Sequence, residues 1–200
     1  MKIEYSQWFD FAMKFVMKHE GIILNKDDPS RYGISIPVLK MQGDQDNDGW
    51  VDGDLNHDYE IDVEDLRIMT PEQSKPFYYK QFWQPYHYDE LISGQNIKMP
   101  LSIITQVFDF AVNVGTGQAH KNFQKALNVF NAGLKIDGII GMKTRAAIWS
   151  VEHTTTEGIL ASYKATQAQF YFYLAAKYPE YKKYLKGWLN RTYDWEGLFL

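Results

Sequence analysis

The sequence predicts an all-α, mainly helical fold, because apolar residues recur at helical spacing and strand-like alternation is scarce. Two hundred residues suit one domain of ordinary size or two small ones, with enough chain to bury a hydrophobic core. The first helix is predicted from an apolar stripe on one of its faces. This stripe consists of Trp8, Phe11, Ala12, Phe15 and Val16. Strand pairing is expected only in RYGIS, residues 31–35, as a small hairpin.

Further helices are predicted from their start and stop signals. TPEQ predicts a helix start, with Thr70 as the N-cap and Gln73 in the capping-box position, and this helix should run to about Trp83. Residues 99–115 are apolar nearly all round and predict a central buried helix that stops at Gly115. The remaining predicted helices are 117–133, a helix after the loop IDGIIG, the long helix 156–177, and the short basic helix YKKYLKGWLNR at 181–191.

The composition excludes several classes of protein. Because there is no cysteine, neither disulfides nor zinc sites built on thiolates are available. No segment approaches the roughly 18 consecutive apolar residues of a transmembrane helix. Asp10 and Lys14 interrupt the apolar N-terminal segment, so it lacks the continuous stretch of a signal peptide. We therefore expect synthesis in the cytoplasm without a signal peptide.

The charge is distributed unevenly along the chain. The net charge is −4, yet residues 44–65 alone hold ten Asp or Glu and no Lys or Arg, which leaves the remainder at +6. A basic body favours an anionic partner such as cell wall, nucleic acid or a lipid surface. Four basic residues of the last helix are expected to form an exposed face, either for the wall or simply solvated: Lys182, Lys183, Lys186 and Arg191.

The acidic stretch has the spacing of a calcium-binding loop, in which oxygen ligands occupy positions 1, 3, 5, 7, 9 and 12. Counting from Asp54 fills every position, although Tyr59 stands at position 6, where glycine is usual. The predicted ligands are Asp54, Asn56, Asp58, the Glu60 carbonyl, Asp62 and Asp65. We predict one structural Ca²⁺ here, followed by a helix at 63–69. The alternative is a solvated acidic turn, in which ten crowded carboxylates would repel one another.

A second frame in the same stretch offers another set of calcium ligands, but it fails at position 12, which is Leu55. Its ligands would be Asp44, Asp46, Asp48, the Trp50 carbonyl and Asp52. The sequence therefore leaves one or two calcium ions open.

Glu20 is the candidate catalytic residue. It stands at the C-terminal end of the first helix, where the helix dipole disfavours a carboxylate, so its position calls for a reason. A carboxyl group at the floor of a cleft, partly desolvated by neighbouring rings, has a raised pKa and can protonate a glycosidic oxygen. Asp28, or less favourably Asp27, lies one loop away and could supply the second polar group that glycoside hydrolysis requires. The alternative is an ordinary surface carboxylate.

At these residues the chain resembles glycoside hydrolase family 108, whose members are lysozyme-like N-acetylmuramidases, many of them described as phage endolysins or secretion activators. Glu20-Gly21, Asp28-Pro29 and Gly33-Ile34-Ser35 match the family's N-terminal motif, while Ser30 replaces a threonine and Ile22 a glycine. The resemblance continues through the acidic loop with DLRIMTPEQ, then FYYKQFW, FDFAVNVGTGQA, IDGIIGMKTRAAI and KYPEYKKYLKGWLNR.

The resemblance implies a single lysozyme-like domain over 1–200. Residues 1–95 would form the catalytic region with the calcium loop 44–65, and 96–200 a peptidoglycan-binding-like helical region. It implies an endolysin-type, bacteriolytic enzyme that acts at the cell wall or periplasm. This enzyme would cleave the β-1,4 bond between N-acetylmuramic acid and N-acetylglucosamine, using Glu20 as general acid. Peptidoglycan would be the partner, with holin-assisted export, no nucleic acid, and a monomeric state.

The implied site contains five residues besides Glu20. Asp28 and Ser30 would complete the catalytic group, and the substrate-binding residues would be Tyr32, Asp109 and Asn113. Asp109 and Asn113 lie at i and i+4 on an otherwise apolar helix, so they could equally be structural hydrogen-bonding groups. The functional alternative is a non-catalytic, calcium-stabilised peptidoglycan-binding or secretion-helper protein.

Overall fold

The computed structural model describes residues 4–23, 29–44, 49–93, 99–151, 156–194 and 196. Across these ranges the protein is mainly helical, as the sequence predicts. The α-helices are α1 (Gln7–His19), α2 (Ile36–Lys40), α3 (Val63–Ile68), α4 (Pro71–Tyr78), α5 (Tyr88–Ser93), α6 (Leu101–Val114), α7 (Thr116–Asn128), α8 (Met142–Ser150), α9 (Thr156–Lys177) and α10 (Lys182–Thr192). A π-helical turn covers Tyr79–Trp83, and 3₁₀ turns cover Gln84–Tyr86 and Pro179–Tyr181.

A small antiparallel sheet follows α1, formed by β1 (Ile22–Ile23), β2 (Ser30–Arg31) and β3 (Ile34–Ser35) in that spatial order. The hairpin expected in RYGIS is confirmed as β2–β3, and β1 adds a third strand to it. Its two-residue turn, Tyr32 and Gly33, has positive φ angles of 50° and 71°. The sheet thus folds the segment 30–35 back over the end of α1.

Most helix boundaries agree with their sequence signals. Thr70 and Gln73 form the expected capping box at the start of α4, and α6 ends at Gly115. The helix predicted for 117–133 is shorter, because α7 ends at Asn128. There the Asn128 side chain donates to the Leu134 carbonyl at 2.8 Å and accepts from its N–H at 2.7 Å, which turns the chain before the glycine is reached.

The core is built around α6, which packs against α1, α7 and α9, while α10 packs on α9. Phe108 of α6 lies in edge-to-face contact with Trp83 and Phe9, at 5.3 and 6.0 Å between ring centroids. Buried residues from both halves of the sequence belong to one hydrophobic cluster. Among the described residues, no helix combines the length and apolar character needed to cross a bilayer.

A buried histidine attaches α7 to the loop that precedes α8. His120 lies 3.2 Å from the Gly138 carbonyl and 2.6 Å from the Tyr88 hydroxyl. Because a carbonyl only accepts, Nδ1 carries the proton and Nε2 accepts from Tyr88. Burial lowers the pKa of His120 to about 4, so the ring stays neutral at physiological pH.

His120 should make folding stability depend on pH. Its folded pKa of about 4 lies below the ordinary value of 6.5, so the unfolded chain binds more protons between those values and stability falls as pH decreases through this window. The full effect is about 3 kcal/mol. We expect the urea midpoint to fall from pH 7 to pH 4.5, and to fall less in a His120→Gln variant, whose side chain does not titrate. Equal slopes in both proteins would contradict this assignment.

Candidate active site

Glu20 caps the C-terminal end of α1, where its N–H donates to the Val16 carbonyl at 3.0 Å. Its backbone is already extended, and its side chain is 16 % exposed. The next residue, Gly21, accepts a hydrogen bond from the Tyr32 N–H at 3.0 Å. This bond brings the β2–β3 turn against the carboxylate of Glu20.

Gly33 lies directly beside that carboxylate. A Cβ atom at this position would overlap the Tyr78 hydroxyl and lie 2.9 Å from Glu20 Oε2. Tyr78 in turn donates its hydroxyl hydrogen to the Tyr32 carbonyl at 2.8 Å. Burial, followed by the charge of Glu20, raises the pKa of Tyr78, so its hydroxyl remains a neutral donor. Only glycine permits both the positive φ and the close approach.

The main partner of Glu20 is Arg191 of α10. Arg191 Nη1 donates to Glu20 Oε1 at 2.9 Å, while Nε and Nη2 donate to the Asp109 carboxylate at 3.1 and 2.8 Å. Burial by itself would lower the pKa of Arg191, but the charge and hydrogen bonds of Asp109, and then of Glu20, raise it above its usual range. The expectation that Arg191 lies on an exposed basic face is wrong, because two carboxylates draw its guanidinium inward.

Asp109 and Asn113 occupy adjacent turns of α6 but have different surroundings. Asp109 is 2 % exposed, and both of its oxygens accept from Arg191. Asn113 is exposed and its amide donates to the Tyr171 hydroxyl. The Tyr171 ring stacks on Trp188 with centroids 4.8 Å apart and planes 18° apart. The arrangement makes Asp109 the buried counter-ion of Arg191 and leaves Asn113 open to a ligand.

A second set of contacts fastens the end of α10 to the end of α1. Lys18 and His19 approach Asp194 Oδ2 at 2.8 and 3.2 Å, and the buried Lys164 donates to the Asp194 carbonyl at 2.7 Å. Burial lowers the pKa of His19. These contacts at Asp194 hold the two helix ends together next to the Glu20–Arg191 ion pair.

The other candidate residues of the N-terminal motif lie in or near the small sheet. Ser30 is half-buried in β2, paired with Ile23 and Ser35. Tyr32 is half-buried, and the Arg31 guanidinium lies 5.2 Å from its ring centroid. Asp27 and Asp28 fall outside the described residues.

The acidic loop is organised by two buried carboxylates. Asp54 accepts from the N–H groups of Asp58 and Tyr59 at 3.1 and 2.8 Å, and Tyr59 has a φ of 72°. Asp65 accepts from Leu55 N–H at 2.7 Å and from Asp62 N–H at 2.8 Å. Position 6 thus adopts the left-handed backbone that normally selects glycine there.

The remaining predicted ligands of the first frame bond to one another or to backbone N–H groups. The Asp58 carboxylate accepts from the Asn56 amide and from the Glu60 N–H, while Asp62 accepts from Glu64 N–H. Over residues 44 and 49–65, the described part of the loop, no three acidic or histidine side chains converge as metal ligands.

Of the second frame, Asp46 and Asp48 lie outside the described residues. Asp44 accepts from Gly49 N–H at 3.0 Å, and Asp52 N–H donates to the Gly43 carbonyl at 2.8 Å. The Trp50 ring packs against Tyr59, with centroids 4.7 Å apart.

Two of the residues that surround Glu20 were not predicted from the sequence. These residues are Arg191 and Tyr78. The sequence did contain a signal for Arg191. It lies one turn after Trp188, and residues three apart are neighbours on a helix surface, so Arg191 borders the apolar side of α10. Tyr78 carried no distinguishing signal within the aromatic run of α4, because its role depends on where the β2–β3 turn lies.

A Gly33→Ala substitution tests the close approach beside Glu20. The added methyl group must displace Tyr78 or Glu20. In addition, alanine at this positive φ strains the backbone, which costs about 1–3 kcal/mol of folding free energy. We expect any activity that depends on Glu20 to fall by more than about tenfold, since small misplacements of a reacting group have large effects on rate. Gly43→Ala is the matched control, because Gly43 has a similar φ of 65° and a Cβ there would meet no described atom within 4 Å. Equal activities of the two variants would refute the argument.

Comparison with known proteins agrees with this architecture. The chain is similar to a solved structure of SagA from Brucella abortus, with 20 % identity, a TM-score of 0.55, and coverage of 93 % of this chain and 96 % of that chain. At this identity the likeness concerns the fold alone. Among curated proteins the comparison finds no match.

Two family profiles match consecutive parts of the chain. Residues 118–193 match the family described as "Predicted Peptidoglycan domain", and residues 13–115 match "Glycosyl hydrolase 108". The second match covers half of the chain and includes Glu20, the β2–β3 turn and Asp109. Together they indicate a glycoside hydrolase whose substrate is peptidoglycan and whose place of action is the cell wall. The chain belongs to the glycosyl hydrolase 108 family.

Proposed function

We propose that the protein is an N-acetylmuramidase that cleaves the β-1,4 bond between N-acetylmuramic acid and N-acetylglucosamine, with Glu20 as general acid. The observation that carries this proposal is the setting of Glu20. Its carboxylate is held at the end of a rigid helix by an arginine whose side chain is 13 % exposed, and its second oxygen lies beside an exposed glycine.

The two oxygens of Glu20 would have different tasks. Oε1 accepts from Arg191 Nη1, whereas Oε2 lies on the side of the exposed Gly33, from which a glycosidic oxygen would approach it. In the proposed reaction the proton is carried by Oε2 and passes to the leaving-group oxygen. The carboxylate that results is stabilised by Arg191, whose position is fixed by Asp109 independently of the proton on Glu20.

Asp28 is proposed as the second catalytic group, together with Ser30 of β2. Glycosidases require such a partner to activate water or to stabilise the developing positive charge. The register of β2 against β1 supports this proposal, because it pairs Ser30 with Ile23, three residues after Glu20. Tyr32 and Asn113 are proposed to bind substrate, one from the turn and one from the exposed end of α6.

The proposed bond specificity is tested by the products of digestion. Purified peptidoglycan is incubated with the protein and the soluble fragments are analysed by mass spectrometry after borohydride reduction. N-acetylmuramitol at the new ends is expected, since a muramidase leaves muramic acid at the reducing end. Reduced N-acetylglucosamine ends would show a glucosaminidase instead, and cleaved peptides would show a peptidase. Either result would contradict the proposed bond specificity. A folded protein that binds peptidoglycan without releasing fragments would be a binding module.

We also propose that the acidic loop binds one structural Ca²⁺ through the frame that begins at Asp54. The buried carboxylates of Asp54 and Asp65 support this proposal, since they already order the loop backbone. The side chains of Asn56, Asp58 and Asp62 would have to turn toward a common centre.

Arg31 connects the acidic loop to the candidate active site. It lies in β2, next to the turn beside Glu20, and donates to the Leu66 and Arg67 carbonyls of α3.

Removal of calcium should therefore destabilise the protein. We expect EDTA to lower the melting temperature and added Ca²⁺ to restore it, because a ligand that binds only the folded state stabilises that state. An Asp54→Asn variant should melt at a lower temperature and respond less to both reagents. A melting temperature that is independent of EDTA in the wild-type protein would exclude the calcium site.

A further inference from the structure

A row of aromatic side chains crosses the surface from the end of α9 along α10. We call Tyr178, Tyr181, Tyr184 and Trp188 the aromatic strip. The three tyrosines are 37 %, 37 % and 48 % exposed, and Trp188 is half-buried. Neighbouring rings are in contact, with centroid distances of 5.5 Å from Tyr178 to Tyr181 and 5.8 Å from Tyr184 to Trp188. Their spacing of three or four residues places them on one face of the 3₁₀ turn and α10.

The aromatic strip is continuous with the candidate active site. Trp188 stacks on Tyr171, whose hydroxyl accepts a hydrogen bond from the side-chain amide of the exposed Asn113. One turn beyond Trp188, on the same face, Arg191 reaches Glu20. At a rise of about 1.5 Å per residue, the part of this row on α10, from Tyr184 to Arg191, spans about 10 Å, which is longer than one sugar ring. The turn before α10 adds Tyr178 and Tyr181 to it.

Two lysines flank the strip. The Lys177 ammonium lies 5.2 Å from the Tyr178 ring centroid, and the Lys183 ammonium lies 4.8 Å from that of Tyr184. Such cation–π contacts hold the rings at the surface while leaving the positive charges exposed. The strip therefore combines apolar ring faces, phenolic hydroxyl groups and a positive rim.

We propose that the aromatic strip binds the glycan strand of peptidoglycan next to the bond that is cleaved, an inference that rests on the proposed function. Sugar rings present C–H faces that pack on aromatic rings and hydroxyl edges that bond to tyrosine hydroxyls. The stem peptides of peptidoglycan carry carboxylates that complement Lys177 and Lys183. The match of residues 118–193 to a peptidoglycan family places the strip in the segment with that association.

The composition of the strip favours a glycan over a membrane surface. Three of its four rings carry a hydroxyl group, and ligand-binding grooves are among the sites that exposed apolar patches mark. An amphipathic membrane anchor would instead present Leu, Phe or Trp along a longer apolar face.

The experiment measures sedimentation of the full-length protein with purified peptidoglycan, in a Glu20→Gln background that prevents cleavage. Tyr184→Ala and a Tyr181→Ala/Tyr184→Ala double variant are compared with Phe172→Ala, which removes an equally exposed ring, 53 % against 48 %, from outside the strip. We expect the double variant to bind about tenfold more weakly, and the Phe172→Ala variant to bind like its parent. Melting curves verify that each variant is folded.

Kinetics distinguish this proposal from the proposed function. In the catalytically active background, the double variant should show a KM raised about tenfold with kcat unchanged, because the strip holds polymer away from the reacting bond. Strip variants that bind peptidoglycan as tightly as the parent would overturn the inference even if the wild type cleaves the polymer. Weakened binding without any cleavage by the wild type would support the strip and refute the muramidase. Loss of binding to anionic lipid vesicles but not to peptidoglycan would assign the strip to a membrane.

Discussion

A Glu20→Gln variant is expected to hydrolyse peptidoglycan at least about a hundredfold more slowly than the wild type, because an amide cannot deliver the proton that general acid catalysis requires. Glutamine has nearly the same shape, and its carbonyl oxygen can still accept from Arg191 Nη1. The fold should therefore persist, with a loss of about 1–2 kcal/mol in the free energy of unfolding from the weaker hydrogen bond. Release of soluble muropeptides measures the first quantity, and urea denaturation the second.

The control for Glu20→Gln is Asp10→Asn on the same helix. Asp10 also forms an ion pair, with Lys75 at 2.9 Å, but its side chain is 41 % exposed and it lies ten residues away on α1. Its neutral variant should retain wild-type activity. If Glu20→Gln released muropeptides at the wild-type rate, the role of Glu20 as the acid would be excluded and the ion pair with Arg191 would be purely structural.

Replacing Arg191 by methionine should destabilise the protein by about 3–5 kcal/mol, the range found when one partner of a buried ion pair is removed. The reason is Asp109, which is almost completely buried and would lose the donors of both its oxygens. Hydrolysis should also fall, since Glu20 would lose the group that fixes Oε1. Urea denaturation at pH 7 gives the change in stability.

Two further variants separate charge from packing at Arg191. Arg145→Met removes an arginine whose partner Glu90 is 61 % exposed, and exposed ion pairs contribute only about 0–1 kcal/mol. An Arg191→Met/Asp109→Asn double variant should recover part of the stability lost in Arg191→Met, because no unpaired charge remains buried. A double variant less stable than Arg191→Met would show that hydrogen bonding rather than charge dominates.

Local patterns in the sequence were sufficient for most of the fold. The capping box at Thr70 and the stop of α6 at Gly115 each depend on neighbouring residues and on little else. The stripe in α1 is confirmed in part: Ala12, Phe15 and Val16 are buried, but Trp8 and Phe11 are half-buried, and Phe9 and Met13 face the core instead. The end of α7 depends on Asn128 bonding to Leu134, an interaction across a turn that no periodicity reveals. The strand β1, which was not predicted from the sequence, has only two residues and is too short for an alternation pattern.

The candidate site was predictable in part, for the same reason. Glu20 could be identified because a carboxylate at a helix C-terminus is unfavourable by itself. The meeting of Glu20, Asp109 and Arg191 could not, because these residues come from three helices and their contact is decided by how α6 and α10 pack. Because Arg191 lies on a lysine-rich helix, the sequence predicts a surface residue. Only the structure shows that the buried carboxylate of Asp109 lies opposite it.

The Glu20–Arg191 ion pair joins residues that are 171 positions apart in the chain. During synthesis α1 leaves the ribosome before α10, the last of the described helices. Glu20 is therefore made 171 residues before its partner. A chain interrupted between α1 and α10 would carry the carboxylate without the arginine that orients it, so the synthesis of α10 is itself a step in assembling the site.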